Sequence, residues 1–215
     1  RRQSQMCIRD RTSSTYFFQP GFPNRTNPLS PQGTRQLTRK FADYHAKALD
    51  DIDAIYFTEE RFDDFYPGKG STYPDLHGAV GILFEQASAR GNIQESPQGD
   101  VYFWKTIRNQ VATSISSLRA TRDLRLPLLE NKRQAYEEAE QMALERDVRS
   151  YAFSAGDDHD RLKHFADLLT LHDIDFLWLP EGGMVDLVNG ESVELVERTL
   201  ICLLYTSDAA DDLGR

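Results

Sequence analysis

The spacing of apolar residues changes repeatedly along this chain, and each change marks an element. Thr12 to Phe18 is a β-rich aromatic run, followed by a Pro/Asn/Gly loop from Pro20 to Pro28. Between Thr34 and Ile55, Leu37, Phe41, Tyr44, Ala48, Ile52 and Ile55 recur at intervals of three and four, which predicts a helix with one apolar stripe. Phe62 to Pro74 carries Pro67, Gly68, Gly70 and Pro74 and reads as loop. Gly78 to Phe84 is a continuous apolar run. Such a run predicts a strand buried on both faces of a mostly parallel sheet.

After the break at Ser96-Pro97-Gln98-Gly99, Asp100 is placed to cap a helix along Val101, Trp104, Ile107, Val111, Ile115 and Leu118. Pro127 is expected to kink or end it. Leu128 to Asp147 reads as a highly charged, mostly solvated helix with sparse apolar positions. Tyr151-Ala152-Phe153 then reads as a strand, Asp160 to His172 as a helix and Ile174 to Leu179 as a second strand. That is a βαβ unit, and the fold class is α/β.

The two ends do not belong to this pattern. Met6-Cys7-Ile8-Arg9-Asp10-Arg11 back-translates to ATG TGT ATA AGA GAC AG, and Cys202-Leu203-Leu204-Tyr205-Thr206-Ser207 to TGT CTC TTA TAC ACA TCT. Over sixteen bases the second string is the reverse complement of the first. An inverted repeat flanking a reading frame resembles a transposase-library adapter translated as coding sequence. Residues 1–11 and 202–215 are therefore set aside as adapter-derived, as a tag would be, and are expected to pack apart from the fold. The remainder is expected to be an internal fragment. It divides into residues 12–95, a helical connector over 96–148, and a partial βαβ domain over 149–201.

Composition then narrows the chemistry. Both cysteines, Cys7 and Cys202, lie in the tails, so neither a disulfide framework nor a cysteine zinc site is expected between them. The tails carry about +3 and −2 of the chain's −9, which leaves about −10 on the intervening segment. That acidity argues against nucleic acid or an anionic membrane as partner. No apolar run approaches the ~20 residues of a membrane span. The compartment stays open, periplasmic and secreted locations included, because a signal peptide would precede Thr12.

Asp63 to Gly91 is the segment with candidate chemistry. Glu85 directly follows the apolar run Val80 to Phe84. In open α/β sheets, ligands bind beyond the carboxyl ends of the strands. A partly desolvated carboxylate there suits general-base work. On position alone the reading as a solvated strand-end residue is the favoured one. Tyr66 lies on the Gly-rich loop, either presented to a ligand or packed as a loop aromatic. His45 is expected at the surface or boundary of its helix, His77 in a loop hydrogen bond, and His159 and His164 in solvent. The Glu137-Glu138-Glu140 cluster is expected to be an exposed helix face.

Tyr66-Pro67-Gly68-Lys69-Gly70-Ser71-Thr72-Tyr73-Pro74-Asp75, followed by Gly81-Ile82-Leu83-Phe84-Glu85-Gln86, resembles the carboxypeptidase A-like zinc metallopeptidases. In that family a tyrosine on a Gly-rich loop precedes, by some twenty residues, a strand ending in the catalytic glutamate. The separation here is nineteen positions. Tyr16-Phe17-Phe18-Gln19-Pro20-Gly21 and the helix after it are similar to the bacterial branch of the family. The resemblance covers about residues 12–95. It implies the C-terminal part of a zinc-carboxypeptidase-like domain acting on a peptide or small amide. It assigns Glu85 as general base and Tyr66 as the residue that closes over the substrate's terminal carboxylate.

The family's zinc ligands are a His-x-x-Glu pair and a later histidine. None of His45, His77, His159, His164 and His172 has Glu three positions on. The resemblance therefore places the zinc ligands upstream of Thr12 and assigns no metal ligand to this chain. By the family's spacing, the third ligand would fall in the adapter-derived start. Arg25 and Lys69 are basic loop residues to which no motif assigns a role. Two other readings remain: a zinc amidohydrolase or deacylase on the same scaffold, and a non-catalytic binding protein with a degenerate peptidase-like domain. Resequencing the locus without transposase libraries is expected to replace both tails; their persistence in long reads would restore both cysteines to the argument.

Overall fold

The computed structural model describes residues 16–60, 62–87, 89, 91–96 and 99–204. The expectations for 1–11, for 12–15 and for 205–215 fall outside the described residues. The chain is mixed α/β and divides into two units between Tyr136 and Glu137.

In the first unit, β1 (Tyr16–Phe18) is the centre of a three-stranded sheet. It pairs in parallel with β2 (Tyr56–Phe57) and antiparallel with β3 (Phe84–Gln86). All three β1 side chains are 0–2% exposed, so this strand is covered on both faces. The helix α1 (Gln32–Asp50) connects the two parallel strands. It buries Thr34, Leu37, Thr38, Phe41, Ala42, His45 and Leu49. The periodicity is the expected one, but the buried face is rotated from the Tyr44–Ala48 side onto His45. Residue 45 stands four positions from both Phe41 and Leu49, so it occupies the same face as both. His45 is accordingly a core residue at 0% exposure, not the surface or boundary residue the sequence suggested.

The next helices are α2 (Thr72–Leu76), α3 (Phe103–Asp123) and α4 (Arg125–Glu145). A short antiparallel pair, β4 (Ile93–Gln94) with β5 (Val101–Tyr102), precedes α3. Pro127 neither kinks nor ends α3, because the helix has already closed at Asp123. It falls instead in the first turn of α4, where a missing N–H costs little. Although the sequence places it in a connector, α3 packs along α1 inside the first unit.

The face by which α3 does so is polar and small: Asn109, Thr113, Ser116 and Ala120 are its buried residues. Trp104, Ile107, Val111, Ile115 and Leu118 are exposed. Hydrogen bonding accounts for the inversion. The Tyr16 hydroxyl is 2.7 Å from Thr113 Oγ1 and donates to Gln110 Oε1 at 3.2 Å. His45 Nδ1 is 2.7 Å from Ser116 Oγ. Ser116 Oγ gives its own proton to the Thr113 carbonyl at 2.8 Å, so it accepts from an Nδ1–H. Phe18 and Phe84 close on the imidazole at centroid distances of 5.5 and 4.9 Å. Burial in this cage pushes the His45 pKa down to about 4.

Only the last residue of the apolar run from Gly78 to Phe84 becomes strand; β3 begins at Phe84. The reason lies in the two glycines. Gly78 has φ +70°, and a Cβ there would stand 2.7 Å from that of Ala135 on α4. A Cβ on Gly81 would collide with the Ser71 carbonyl oxygen. Asn131 on α4 holds this turn against α1, donating to Thr34 Oγ1 at 2.9 Å and to the Gly78 carbonyl at 2.7 Å. The chain turns at residues 77–79, and 80–83 run irregularly and part-exposed before β3 begins.

The second unit contains the expected βαβ element. β6 (Ser150–Phe153) and β7 (Phe176–Trp178) flank β10 (Leu200–Leu203) and both run antiparallel to it, hence parallel to each other. α5 (His159–Leu171) links them, its first turn capped by the Asp158 carboxylate accepting from Arg161 N at 3.1 Å. Leu162, Ala166 and Leu169 pack with Leu200 and Cys202. β8 (Gly183–Asp186) and β9 (Ser192–Leu195) form a separate hairpin. β10 runs across the boundary drawn at residue 202, and Cys202 is buried. The expected separation of the tail from the fold therefore fails at its first residues. The strand is held by backbone pairing on both sides and by Leu200 and Cys202, which pack into the core.

Replacing Gly78 with Ala is expected to destabilise the first unit by about 2–4 kcal/mol, from left-handed strain plus overpacking. Gly70, with open space around it, should accept Ala within about 0.5 kcal/mol. Hydrogen exchange of the β1 amides in urea measures both; equal effects would contradict the packing argument.

Candidate functional site

Neighbouring side chains on β1 point to opposite faces, so Tyr16 and Phe18 face α1 and α3 while Phe17 faces away. Glu85 is the cross-strand partner of Phe17 and shares that second face. It stands in the middle of β3, at the edge of the described sheet, and is partly buried. The sequence placed it at the carboxyl end of a central strand. The strand starts only at Phe84, after the irregular stretch 80–83, and β1, paired with β2 and β3 on its two sides, is the central one.

The Phe17 face is covered by the loop between β2 and α2. Phe57 and Phe62 pack on the Phe17 ring at 5.4 and 5.3 Å. Asp64 is tied down by its backbone: its N–H donates to the Arg25 carbonyl and its carbonyl accepts from Asn27 N, both at 3.0 Å. Tyr66, two residues further on, is 62% exposed on this loop. Lys69 folds back on the same loop, with Nζ against the Asp63 carbonyl, 3.1 Å from Asp63 Oδ2 and 5.2 Å from the Phe62 ring centre. It therefore holds the loop, a role the sequence did not assign. His77 closes α2, its ring tilted against that of Tyr73 at a centroid distance of 4.7 Å.

Beneath the loop lies a network of buried polar groups. Gln19 follows β1 directly and is fully buried. Its Nε2 donates to Asp64 Oδ2 at 2.9 Å, and its Oε1 accepts from Leu83 N at 2.7 Å. Asp64 Oδ1 accepts from Thr72 Oγ1 at 2.8 Å and from Ser71 Oγ at 3.5 Å. Burial raises the Asp64 pKa, opposed by its hydrogen bonds from Thr72 and Gln19. Asp75, also buried, accepts Gly81 N at 2.7 Å through Oδ1. Burial pushes its pKa up to about 7, against the Gly81 hydrogen bond and with help from the Asp64 charge.

Gln19, Asp64 and Asp75 were not singled out from sequence. The one available signal was Gln19, which continues the alternate-residue face of Phe17 beyond the strand. Nothing distinguishes Asp64 or Asp75 from the many solvated acids of an acidic chain.

The opposite face carries a groove of about 500 Å³ between the end of β3 and α3, lined by Gln86, Ala87, Phe103, Ile107, Val111 and Ile115 among others. Glu85 is not part of its lining. Among the described residues no three His, Cys, Asp or Glu side chains are grouped to hold a metal ion. His45 is enclosed by aromatic rings and His77 ends α2, so the donor set present here does not compose a zinc site. No helix of the described residues is long and apolar enough to cross a membrane. Compared with known proteins, the chain matches no family model, no curated protein and no solved structure.

Asp75 gives the site a pH signature. Folded, it keeps its proton up to about 7, whereas an unfolded Asp releases it near its ordinary value. Its contribution to stability is thus complete below that ordinary value and is lost as pH rises through about 7, by up to roughly 4 kcal/mol. Asp75→Asn keeps the acceptor for Gly81 N and is expected to remove this fall. Urea unfolding of the first unit from pH 4 to pH 8 measures it; identical slopes in both chains would contradict the assignment.

Proposed function

We propose that residues 12–95 contribute the acid–base half of the site of a zinc-dependent metallocarboxypeptidase, with the zinc ligands upstream of Thr12. The observation that supports this reading is that the loop bearing Tyr66 lies over the same sheet face that presents Glu85. In the sequence these residues were joined only by a spacing. In the fold, Phe62 and Asp64 of the loop rest on Phe17 and Gln19, and Phe17 is the strand partner of Glu85.

In this reading Glu85 takes a proton from the water that attacks the scissile carbonyl and delivers it to the leaving amine. Tyr66, exposed and not packed in the core, donates its hydroxyl to the substrate's terminal carboxylate. The bound metal would supply Lewis acidity at the carbonyl. The substrate is a peptide, or a small amide with a free carboxylate. Since this reading places the zinc ligands upstream of Thr12, the chain as it stands is expected to be inactive.

The test is made in a protein carrying the whole first unit, residues 12–136, behind the upstream zinc ligands. Glu85→Gln is expected to leave the zinc content unchanged while lowering kcat by about 10²–10⁴-fold, the usual worth of a general base. Tyr66→Phe should act mainly on KM. Metal analysis together with peptide-release kinetics reads both, and full turnover in Glu85→Gln would end the carboxypeptidase reading.

A further inference from the structure

The loop bearing Tyr66 and the strand bearing Glu85 are separate in sequence, and one side chain touches both approaches. Gln19 donates to Asp64, two residues before Tyr66, and accepts from the backbone of Leu83, two residues before Glu85. We propose that Gln19 is a positioning residue that fixes Tyr66 relative to Glu85. This role rests on the carboxypeptidase reading.

Three features carry it. First, both ends of the amide are used and cannot be exchanged. Turning it over would set Nε2 against the Leu83 N–H and Oε1 against the Asp64 carboxylate, two repulsive contacts in a buried place. The amide therefore has one orientation, and the two chain segments it holds have one relative placement. Second, each contact lies on a tethered segment. Asp64 is held by the 25–27 backbone on one side and by Thr72 on the other, so a shift at Gln19 would pass to the loop as a whole. Leu83 is followed at once by the paired residues of β3. Third, Gln19 is anchored by the most buried strand of the unit. A fixed point of that kind is what a two-part site on different segments requires.

Leucine at position 19 would fill the space but leave Leu83 N and one Asp64 oxygen without these partners. Gln19→Glu alone would bring two buried carboxylates together. Gln19→Glu combined with Asp64→Asn rebuilds the bond in reverse. The amide nitrogen introduced at position 64 then donates to one oxygen of the carboxylate introduced at position 19. The other oxygen of that carboxylate still accepts from Leu83 N, and the amide oxygen at position 64 can still accept from Thr72. Restoration by this pair is the signature of a specific bridge; a residue that merely fills the core would not show it.

In the 215-residue chain, hydrogen exchange is followed over residues 62–70, 81–86 and 37–49. Gln19→Leu is expected to raise exchange at least tenfold in the first two segments together while α1 stays protected. The reversed pair should return both. If only one segment responds, or if α1 loosens equally and the reversed pair rescues nothing, the bridge is overturned. In the zinc-bearing protein, Gln19→Leu should lower kcat at least tenfold with zinc content unchanged, and the reversed pair should recover most of it. Full turnover in Glu85→Gln would remove the carboxypeptidase reading and this role with it. Lost turnover in Glu85→Gln with unchanged kcat in Gln19→Leu would overturn the positioning role alone.

Discussion

A three-residue strand covered on both faces sets the terms for the rest of the first unit. Tyr16, Phe17 and Phe18 leave almost no surface to water, so every polar group they bring inside must find a protein partner. The strand brings a phenol on one face, and the residue after it brings an amide to the other. α3 turns a face of threonine, serine and asparagine toward the first. The Asp64 loop and the turn before β3 converge on the second.

This requirement explains why apolar pattern misleads on α3. Six large apolar positions define a stripe in sequence, but a helix chooses its buried face by everything it must satisfy. Thr113 and Ser116 answer Tyr16 and His45 at 2.7 Å each, and small side chains let the two helices approach. An apolar face would have left a buried phenol and a buried imidazole with fewer partners, at a cost of about 1–3 kcal/mol for each unsatisfied group. The exposed stripe is ordinary by comparison, since a large share of any protein surface is apolar.

Local signals were legible. The α1 periodicity, the strand–helix–strand order from Tyr151 to Leu179 and the loop character around Tyr66 all follow from spacing and turn residues. What could not be read were features created by tertiary contact. Whether Gly78–Phe84 extends or turns depends on Ala135 and Ser71, which lie far from it or across a helix in sequence. Whether His45 is inside depends on which side of the Leu37–Phe41 stripe α1 turns toward the sheet. That Asp64 and Asp75 are buried depends on Gln19, Thr72 and the Gly81 amide. The pairing of Glu85 with Phe17 in mid-strand likewise follows from a register that no local pattern specifies.

β10 presents a different lesson. It fills the space between two strands that run the same way, and it does so through backbone pairing with both. Such a slot recognises an extended peptide by its ladder of amides and needs only small or apolar side chains toward α5. In geometry it is a berth for one strand. Any segment with that character, tethered close by, competes for the same berth, so the sequence that follows residue 199 decides the occupant by local concentration as much as by fit.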